Sequence, residues 1–527
     1  MLTTTPELPD TLAPGKAPGH SSARVTWGIV AALLLLVSLG FWPSFEKPAA
    51  PMEEGALLVY PELVAHGSIP YRDFGTFSGP ANLWVLAAGY KLAGINVFTE
   101  RSVGLLYRLL IVAMVFVLLR RTGKALAFGC AFLAGCLFFV TQLAAFAWAG
   151  AIAFGLAGLW FLSTARGSHR NLFIGGLLLG LSLLYRVDLL PALFLGSVPL
   201  LWNRPKGSRR ITAFGLALGA SAYIFLGFLA GGQQLWNNLI LDPLVNCNLL
   251  SQILTAAVEP VEKKLLLAGV LGSVVNVFAA FTSLRMELVK ANNREVAALL
   301  LFATGLLFLQ IDRLDVSGVL PIVALSLALL PISILALLQA AKREAHPAWQ
   351  LGLALATPAA MIFLIAPATS LAIGNSFVSA LNPSMASTIF IEQNDRSYPV
   401  PSLQVANVTG KLCEHLERGA KPGDRLFVGP GDLEHAKYCD AFIYYLFPKL
   451  KPASYSIELH GESGNRAGAS LSADVATADW LVLDMAWDSK HKSPQPTSKD
   501  SGLNDFVRSK FHLVAQSGPY VLLQHGR

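Results

Sequence analysis

Apolar runs of roughly 17 to 25 residues recur along about the first 370 positions, separated by short polar segments. Most are long enough to cross a bilayer; 171–202 is short for two full crossings and is expected to form two short or tilted helices turning at Arg186-Val187-Asp188. They lie at 25–42, 102–119, 125–141, 143–163, 171–186, 188–202, 211–230, 264–283, 295–311, 316–340 and 350–372. The pattern predicts a polytopic α-helical membrane protein of about eleven spans. Past residue 400 it changes. Gln404–Glu417 reads as a helix, Arg425–Val428 as a strand, Leu433–Phe447 as a helix and Trp480–Asp484 as a buried strand. Leu503–Phe511 reads as a helix, and Leu513–Gln524 as two strands about Ser517-Gly518-Pro519. This alternation predicts a small α/β domain. The expected organisation is a disordered N-terminus over 1–24, a membrane domain over 25–372, a linker over 373–400 and a C-terminal domain over 401–527.

Only 14% of the 527 residues are charged, with 54% hydrophobic, against about 25% charged in soluble domains. The net charge of +7 is not a nucleic-acid signature here, because the basic residues cluster in the short loops. Arg24 precedes the first run. Arg120, Arg121 and Lys124 fill one loop, Arg166 and Arg170 another, and Arg204, Lys206, Arg209 and Arg210 a third. Arg285, Lys290 and Arg294, then Lys342 and Arg343, fill two more. With these spans every cluster falls on one side, which the positive-inside rule makes cytoplasmic. The C-terminal domain then lies on the outer face. The apolar stretch 81–98 would reverse every later loop if it crossed, so it is expected at the outer interface. The first run resembles a signal peptide, but it is long and lacks a nearby cleavage site, and is expected to stay as a span.

The longest outer loop, 43–101, holds most of the candidate chemistry. Glu53 and Glu54 open an amphipathic stretch over roughly 53–66. Pro70-Tyr71-Arg72-Asp73-Phe74, Gly79-Pro80, the interfacial stretch and Arg101 follow. Further on come Gly180–Asp188, with Tyr185-Arg186-Val187-Asp188, and Arg313-Leu314-Asp315 before Pro321. In this order the pieces resemble the first periplasmic loop and later segments of the GT-C glycosyltransferase superfamily. That group includes the protein mannosyltransferases and the bacterial aminoarabinose and lipopolysaccharide-sugar transferases. The resemblance is strongest from about 50 to 125. Two positions depart from it: Glu53 stands where the family usually has Asp, and Gly318 where some members have His.

The resemblance implies a GT-C-like fold in a bacterial inner membrane. It implies transfer of a sugar from a polyprenyl-phosphate donor to an extracytoplasmic glycan, lipid or protein. A carboxylate would take the acceptor proton, and fixed cations would stabilise the lipid-phosphate leaving group. The expected base is Glu53, then Glu54, with Asp73 as partner or alternative. Both glutamates would equally suit the first turn of a helix, where the macrodipole favours acids, and Asp73 could pair with adjacent arginines. The phosphate candidates are Arg72, Arg101, Arg186, Lys263, Lys264 and Arg313. Arg186 could instead pair with Asp188, Arg313 with Asp312 or Asp315, and the two lysines could meet lipid headgroups. Arg108, inside the second run, could snorkel or line a lipid cavity.

No HExxH, paired CxxC, Walker A loop or strand-placed GxGxxG occurs. No cofactor is expected, and no motif supports a divalent metal. His66 reads as a surface residue. Cys130 and Cys136 read as packing residues, while Cys413 and Cys439, both in the outward domain, are expected to form a disulfide or to remain buried thiols. Membrane lipids are expected partners. The competing classes are a secondary transporter, which an internal repeat would favour, and a non-catalytic envelope-assembly protein.

Overall fold

The computed structural model describes residues 20–165, 167–241, 260–285, 293–309, 316–340, 347–365, 367–382, 388–435, 438–459, 471–490 and 502–526. Of the expected disordered N-terminus, 1–19 lies outside them; Arg313 and the Arg166, Lys290, Lys342 and Arg343 signals also fall outside.

The chain begins with α1 (His20–Phe41), α2 (Pro51–Ala65), α3 (Pro80–Ala93), α4 (Val97–Leu119), α5 (Lys124–Phe138), α6 (Ala147–Thr164), α7 (His169–Tyr185) and α8 (Leu190–Leu201). There follow α9 (Lys206–Ala220), α10 (Ala222–Ala230), α11 (Gly232–Trp236), α12 (Pro260–Arg285), α13 (Asn293–Gly305), α14 (Val316–Ala328), α15 (Leu330–Ala340), α16 (Pro347–Ile365) and α17 (Pro367–Leu381). Among the described residues six stretches are long and apolar enough to cross a membrane: Val25–Phe45, Val97–Leu119, Ala147–Thr164, Lys206–Ala230, Lys263–Arg285 and Val319–Ala340. The run expected at 350–372 is two helices, with Leu355–Leu364 and Pro367–Leu381 bent by 111°.

Four expected spans are short. α5 has 15 residues, α7 17, α8 12 and α13 13. At about 1.5 Å per residue they reach roughly 18 to 26 Å, less than a hydrocarbon core of about 30 Å. Each nonetheless runs between the same two ends of the bundle. At one end Arg121 pairs with Glu295 at the start of α13, and Arg204, after α8, donates to the Leu162 carbonyl near the end of α6, 2.8 Å away. At the other end Arg108 of α4 binds the carbonyls of Leu143 and Ala144 between α5 and α6. There too the Gly79 N–H binds the Tyr185 carbonyl closing α7 (2.9 Å). Arg121 and Arg204, the described basic loop residues with these contacts, thus gather at one end, and the long loop lies at the other. Close backbone approach makes this packing work: a side chain at Gly176 of α7 would collide with the Thr212 carbonyl of α9. Small residues at such crossings let helices associate where lipid removes the hydrophobic drive.

α3 falls in the stretch expected at the interface. It has 14 residues and buries Leu83, Leu86 and Tyr90; among the described residues it is not one of the helices long and apolar enough to cross by themselves.

The C-terminal region holds β1 (Ile389–Gln393), β2 (Arg396–Val400), α18 (Leu403–Gly419), β3 (Arg425–Pro430), α19 (Phe442–Leu446), β4 (Lys451–Pro452), α20 (Leu471–Ala476), β5 (Trp480–Asp484), α21 (Ala486–Lys490), α22 (Leu503–Lys510), β6 (Phe511–Ser517) and β7 (Tyr520–His525). A mixed five-stranded sheet runs β4-β3-β5-β7-β6. β3 is parallel to β4 and β5, while β7 is antiparallel to β5 and β6. Every residue of β5 is buried, as a central strand requires.

Two expectations change here. Within the expected linker 373–400, α17 continues to Leu381, and β1 and β2 form a hairpin about Asn394 and Asp395, both at positive φ. That pair supplies the turn geometry a tight hairpin needs. The helix expected over Leu433–Phe447 is confined to Phe442–Leu446. Asp432 explains part of this, since its carboxylate accepts the Glu434 N–H at 3.2 Å and the His435 ring at 3.1 Å, favouring a turn. Of the two alternatives for Cys413 and Cys439, the structure shows buried thiols with no disulfide between them. Cys439 Sγ donates to the Ile457 carbonyl (3.2 Å).

Candidate functional site

Glu53, Glu54 and Arg101 lie where the long loop, one end of the bundle and the C-terminal domain join. α2 starts at Pro51, which suits the first turn because its missing N–H would be unpaired there anyway. Glu53 and Glu54 follow in that turn. They are neighbours in sequence but point to different surroundings.

Glu54 is fully buried. Its two oxygens accept from Arg101 Nε (2.7 Å) and Nη2 (2.9 Å). Arg101 Nη1 donates to the carbonyls of Ser44, Phe45 and Lys47 at 2.8 to 3.0 Å. Arg101 is itself 1% exposed. This pair ties α2 to the end of α1 and the start of α4.

Glu53 is partly buried and accepts from the Tyr438 hydroxyl at 2.7 Å. Tyr438 belongs to the C-terminal domain, 385 residues away. Further along α2, Glu62 takes two bonds from Arg396 of β2, at 2.6 and 2.8 Å. The Arg396 guanidinium stacks over Tyr445, 4.8 Å from its ring centroid. The Tyr60 hydroxyl accepts the Ile457 N–H at 3.0 Å. Burial pushes that phenol well above its ordinary range. At Gly55 any side chain would collide with the backbone at Ala441 and Phe442, so α2 and α19 touch directly.

Asp73 lies in the next turn of the long loop. It caps its own turn by accepting the Ile69 N–H (2.7 Å) and pairs with Arg72, Nε at 2.8 Å and Nη2 at 2.9 Å. The Arg72 bonds hold its carboxyl below the usual range. In the same turn Tyr71 has φ of +66°, a strain of about 1–3 kcal/mol. Its hydroxyl donates to Ser78 O (2.7 Å), and its carbonyl accepts from Tyr455 of the C-terminal domain (2.6 Å).

Arg186 lies between α7 and α8 and grips Asp188 with two bonds, 3.0 and 2.6 Å. Gly79 docks on the adjoining Tyr185 carbonyl, so the long loop passes beside this pair. Lys263 and Lys264 are exposed on the first described turn of α12. His66 is exposed at the end of α2, its ring on the Glu62 carbonyl. Cys130 and Cys136 are buried thiols of α5. Arg108 is completely buried, bound to the carbonyls of Gly104, Gln142, Leu143 and Ala144, and flanked by Phe41 and Trp148. It holds the α5–α6 connection. Among the described residues no group of three or more His, Cys, Asp or Glu could hold a metal ion.

Sequence reasoning missed Glu100, Tyr438, Arg396 and Asp440. Glu100 is buried beside Arg101 and accepts the Ala145 N–H; its Oε2 has no hydrogen-bond partner among the described residues. Its signal was an acid at the mouth of an apolar run. The other three had no local signal, since each acts on a residue far away in the chain or in the fold of its own domain.

No family model and no curated protein matches the chain. Among solved structures it is similar to ArnT from Cupriavidus metallidurans bound to undecaprenyl phosphate, with 11% identity, 96% of this chain and 98% of that chain covered, and a TM-score of 0.49. The apo state of the same protein is similar at 14% identity, 95% and 98% coverage and a TM-score of 0.49.

Proposed function

We propose that this chain is an integral-membrane glycosyltransferase that moves a sugar from a polyprenyl-phosphate donor to an acceptor outside the cytoplasm. The observation that supports it most is the division of labour in the first turn of α2. Glu54 is committed to Arg101 inside the protein, whereas Glu53 stays partly accessible at the domain junction. Asp73 is engaged by its own turn and by Arg72. Glu53 is therefore the acidic candidate best suited to meet an acceptor.

In the reaction the acceptor O–H or N–H gives its proton to the Glu53 carboxylate as the acceptor atom bonds to the anomeric carbon. The bond from that carbon to the phosphate oxygen breaks. The phosphodiester leaves as polyprenyl phosphate, carrying the electron pair, and Glu53 is left as the acid. Attack opposite the leaving group inverts the anomeric centre. Arg186, between two helices beside the long loop, is the described cation best placed to stabilise the departing phosphate; it would divide its donors between Asp188 and the ligand. Lys263 and Lys264 suit attraction of an anionic headgroup at the outer surface. The loop clusters at the opposite end make that end cytoplasmic by the positive-inside rule.

Membrane vesicles carrying the protein test this directly. Labelled sugar on a polyprenyl-phosphate carrier is expected to reach an acceptor, while the matching nucleotide sugar alone is not used. Transfer from nucleotide sugar and none from any lipid-linked donor would overturn the proposal.

A further inference from the structure

The C-terminal domain reaches the carboxylate proposed as base, and the geometry points to Tyr438 as a residue that positions it. This inference rests on the reading of Glu53 given above. Tyr438 is 3% exposed and donates to Glu53 Oε2 at 2.7 Å. A buried phenol on a carboxylate oxygen fixes the torsion of that side chain, which has three rotatable bonds and would otherwise sample several rotamers.

Tyr438 is itself backed by a chain of contacts. Its ring meets Trp487 edge-on, with centroids 4.4 Å apart and planes at 60°. Trp487 Nε1 donates to Asp440 Oδ1 at 3.2 Å. Asp440 Oδ2 accepts from the Tyr520 hydroxyl at 2.5 Å. Tyr520 opens β7, paired with Asp484 of the central strand. The hydroxyl facing Glu53 is thus anchored to the middle of the five-stranded sheet.

The other end of the hydrogen bond is equally constrained. α2 is pinned on the bundle side by Glu54–Arg101 and on the domain side by Glu62–Arg396. With both ends of the helix fixed, the bond from Tyr438 acts on a carboxylate carried by a fixed backbone. An unrelated covering domain would not need to place a buried hydroxyl on the one acid of this turn left partly accessible. The soluble domain therefore completes the site. Tyr438 acts through Glu53 and does not exchange a proton with substrate.

A double-mutant cycle on the full-length protein in vesicles tests this. Tyr438→Phe removes only the hydroxyl. It is expected to lower kcat about 10- to 100-fold, the scale of a misplaced catalytic group, with KM for the lipid donor unchanged. In a Glu53→Gln background the same substitution should change the residual rate by less than about twofold, because groups acting as a unit are not additive. If Glu53→Gln loses activity but Tyr438→Phe keeps it, or if the two losses multiply, the positioning role is overturned while the transferase reading stands. If Glu53→Gln keeps activity, the reading of Glu53 fails first. Should Tyr438→Phe reduce the folded amount, Trp487→Phe retains the hydroxyl and loosens its backing. A smaller loss, again absent with Glu53→Gln, is expected; an undiminished loss in that background would refute the inference.

Discussion

The α7–α9 crossing inside the bundle and the domain junction rest on different kinds of contact. Between α7 and α9 the contacts are backbone on backbone, made by glycines whose replacement would strike a neighbouring carbonyl. At the junction, besides the close approach of α2 and α19 at Gly55, charged or hydroxylic side chains from distant parts of the chain meet: Glu54 with Arg101, 47 residues on, and Glu62 with Arg396, 334 residues on. In lipid, helices gain little from burying apolar surface against each other, so fit and close approach decide packing. At the junction three separate pieces must be fixed at one place, and directional bonds do this better than shape alone. The bundle supplies a frame; the junction supplies orientation.

Breaking the buried pair should give the largest effect. Arg101→Met leaves Glu54 as an uncompensated buried charge, expected to cost about 3–5 kcal/mol. Thermal unfolding in detergent would read this, and an unchanged midpoint would mean that the junction is not organised around the pair. A second substitution probes the frame. Gly176→Val forces α7 from α9 and should cost about 1–3 kcal/mol, as overpacking does. A cost similar to that of Arg101→Met would erase the contrast between the regions.

The third effect is smaller and depends on pH. Burial, and then the neighbouring Asp484, push the Asp440 carboxyl up to about 8. The unfolded chain ionises near 3.9 or so. Between these values the native state holds a proton that the unfolded state has released. Stability from this group is therefore complete below about pH 4 and declines as pH rises toward about 8. Asp440→Asn should flatten that slope in unfolding curves of the whole protein. An identical slope in the variant would show that another group sets it.

The difference between the regions also explains what could be read in advance. Span positions depend on local runs of apolar residues, and these marked the six long apolar helices, the separate helix α3 and the turn at Arg186-Val187-Asp188. The strands at 425–430 and 480–484 were legible for the same reason. Arg101 could be seen as a cation at the mouth of a span, but whether it faced a ligand or Glu54 depended on how α2 folds back. Cys413 and Cys439 shared a compartment, yet nothing in their spacing dictated proximity. The hairpin at 389–400 was hidden by its place after a long apolar run, although Asn394-Asp395 marks its turn. Tyr438 was invisible because its role lies in a bond to Glu53 that only the folded chain creates.

The most direct test of the central claim is single-turnover transfer of labelled sugar from a polyprenyl-phosphate donor, comparing wild type with Glu53→Gln at equal folded amounts. The account predicts a rate lower by about 100- to 10,000-fold with donor binding retained, the usual contribution of a general base. A Glu53→Gln rate within a few-fold of wild type, alongside loss of transfer in Asp73→Asn, would contradict it and move the chemistry to the turn at Tyr71–Phe74.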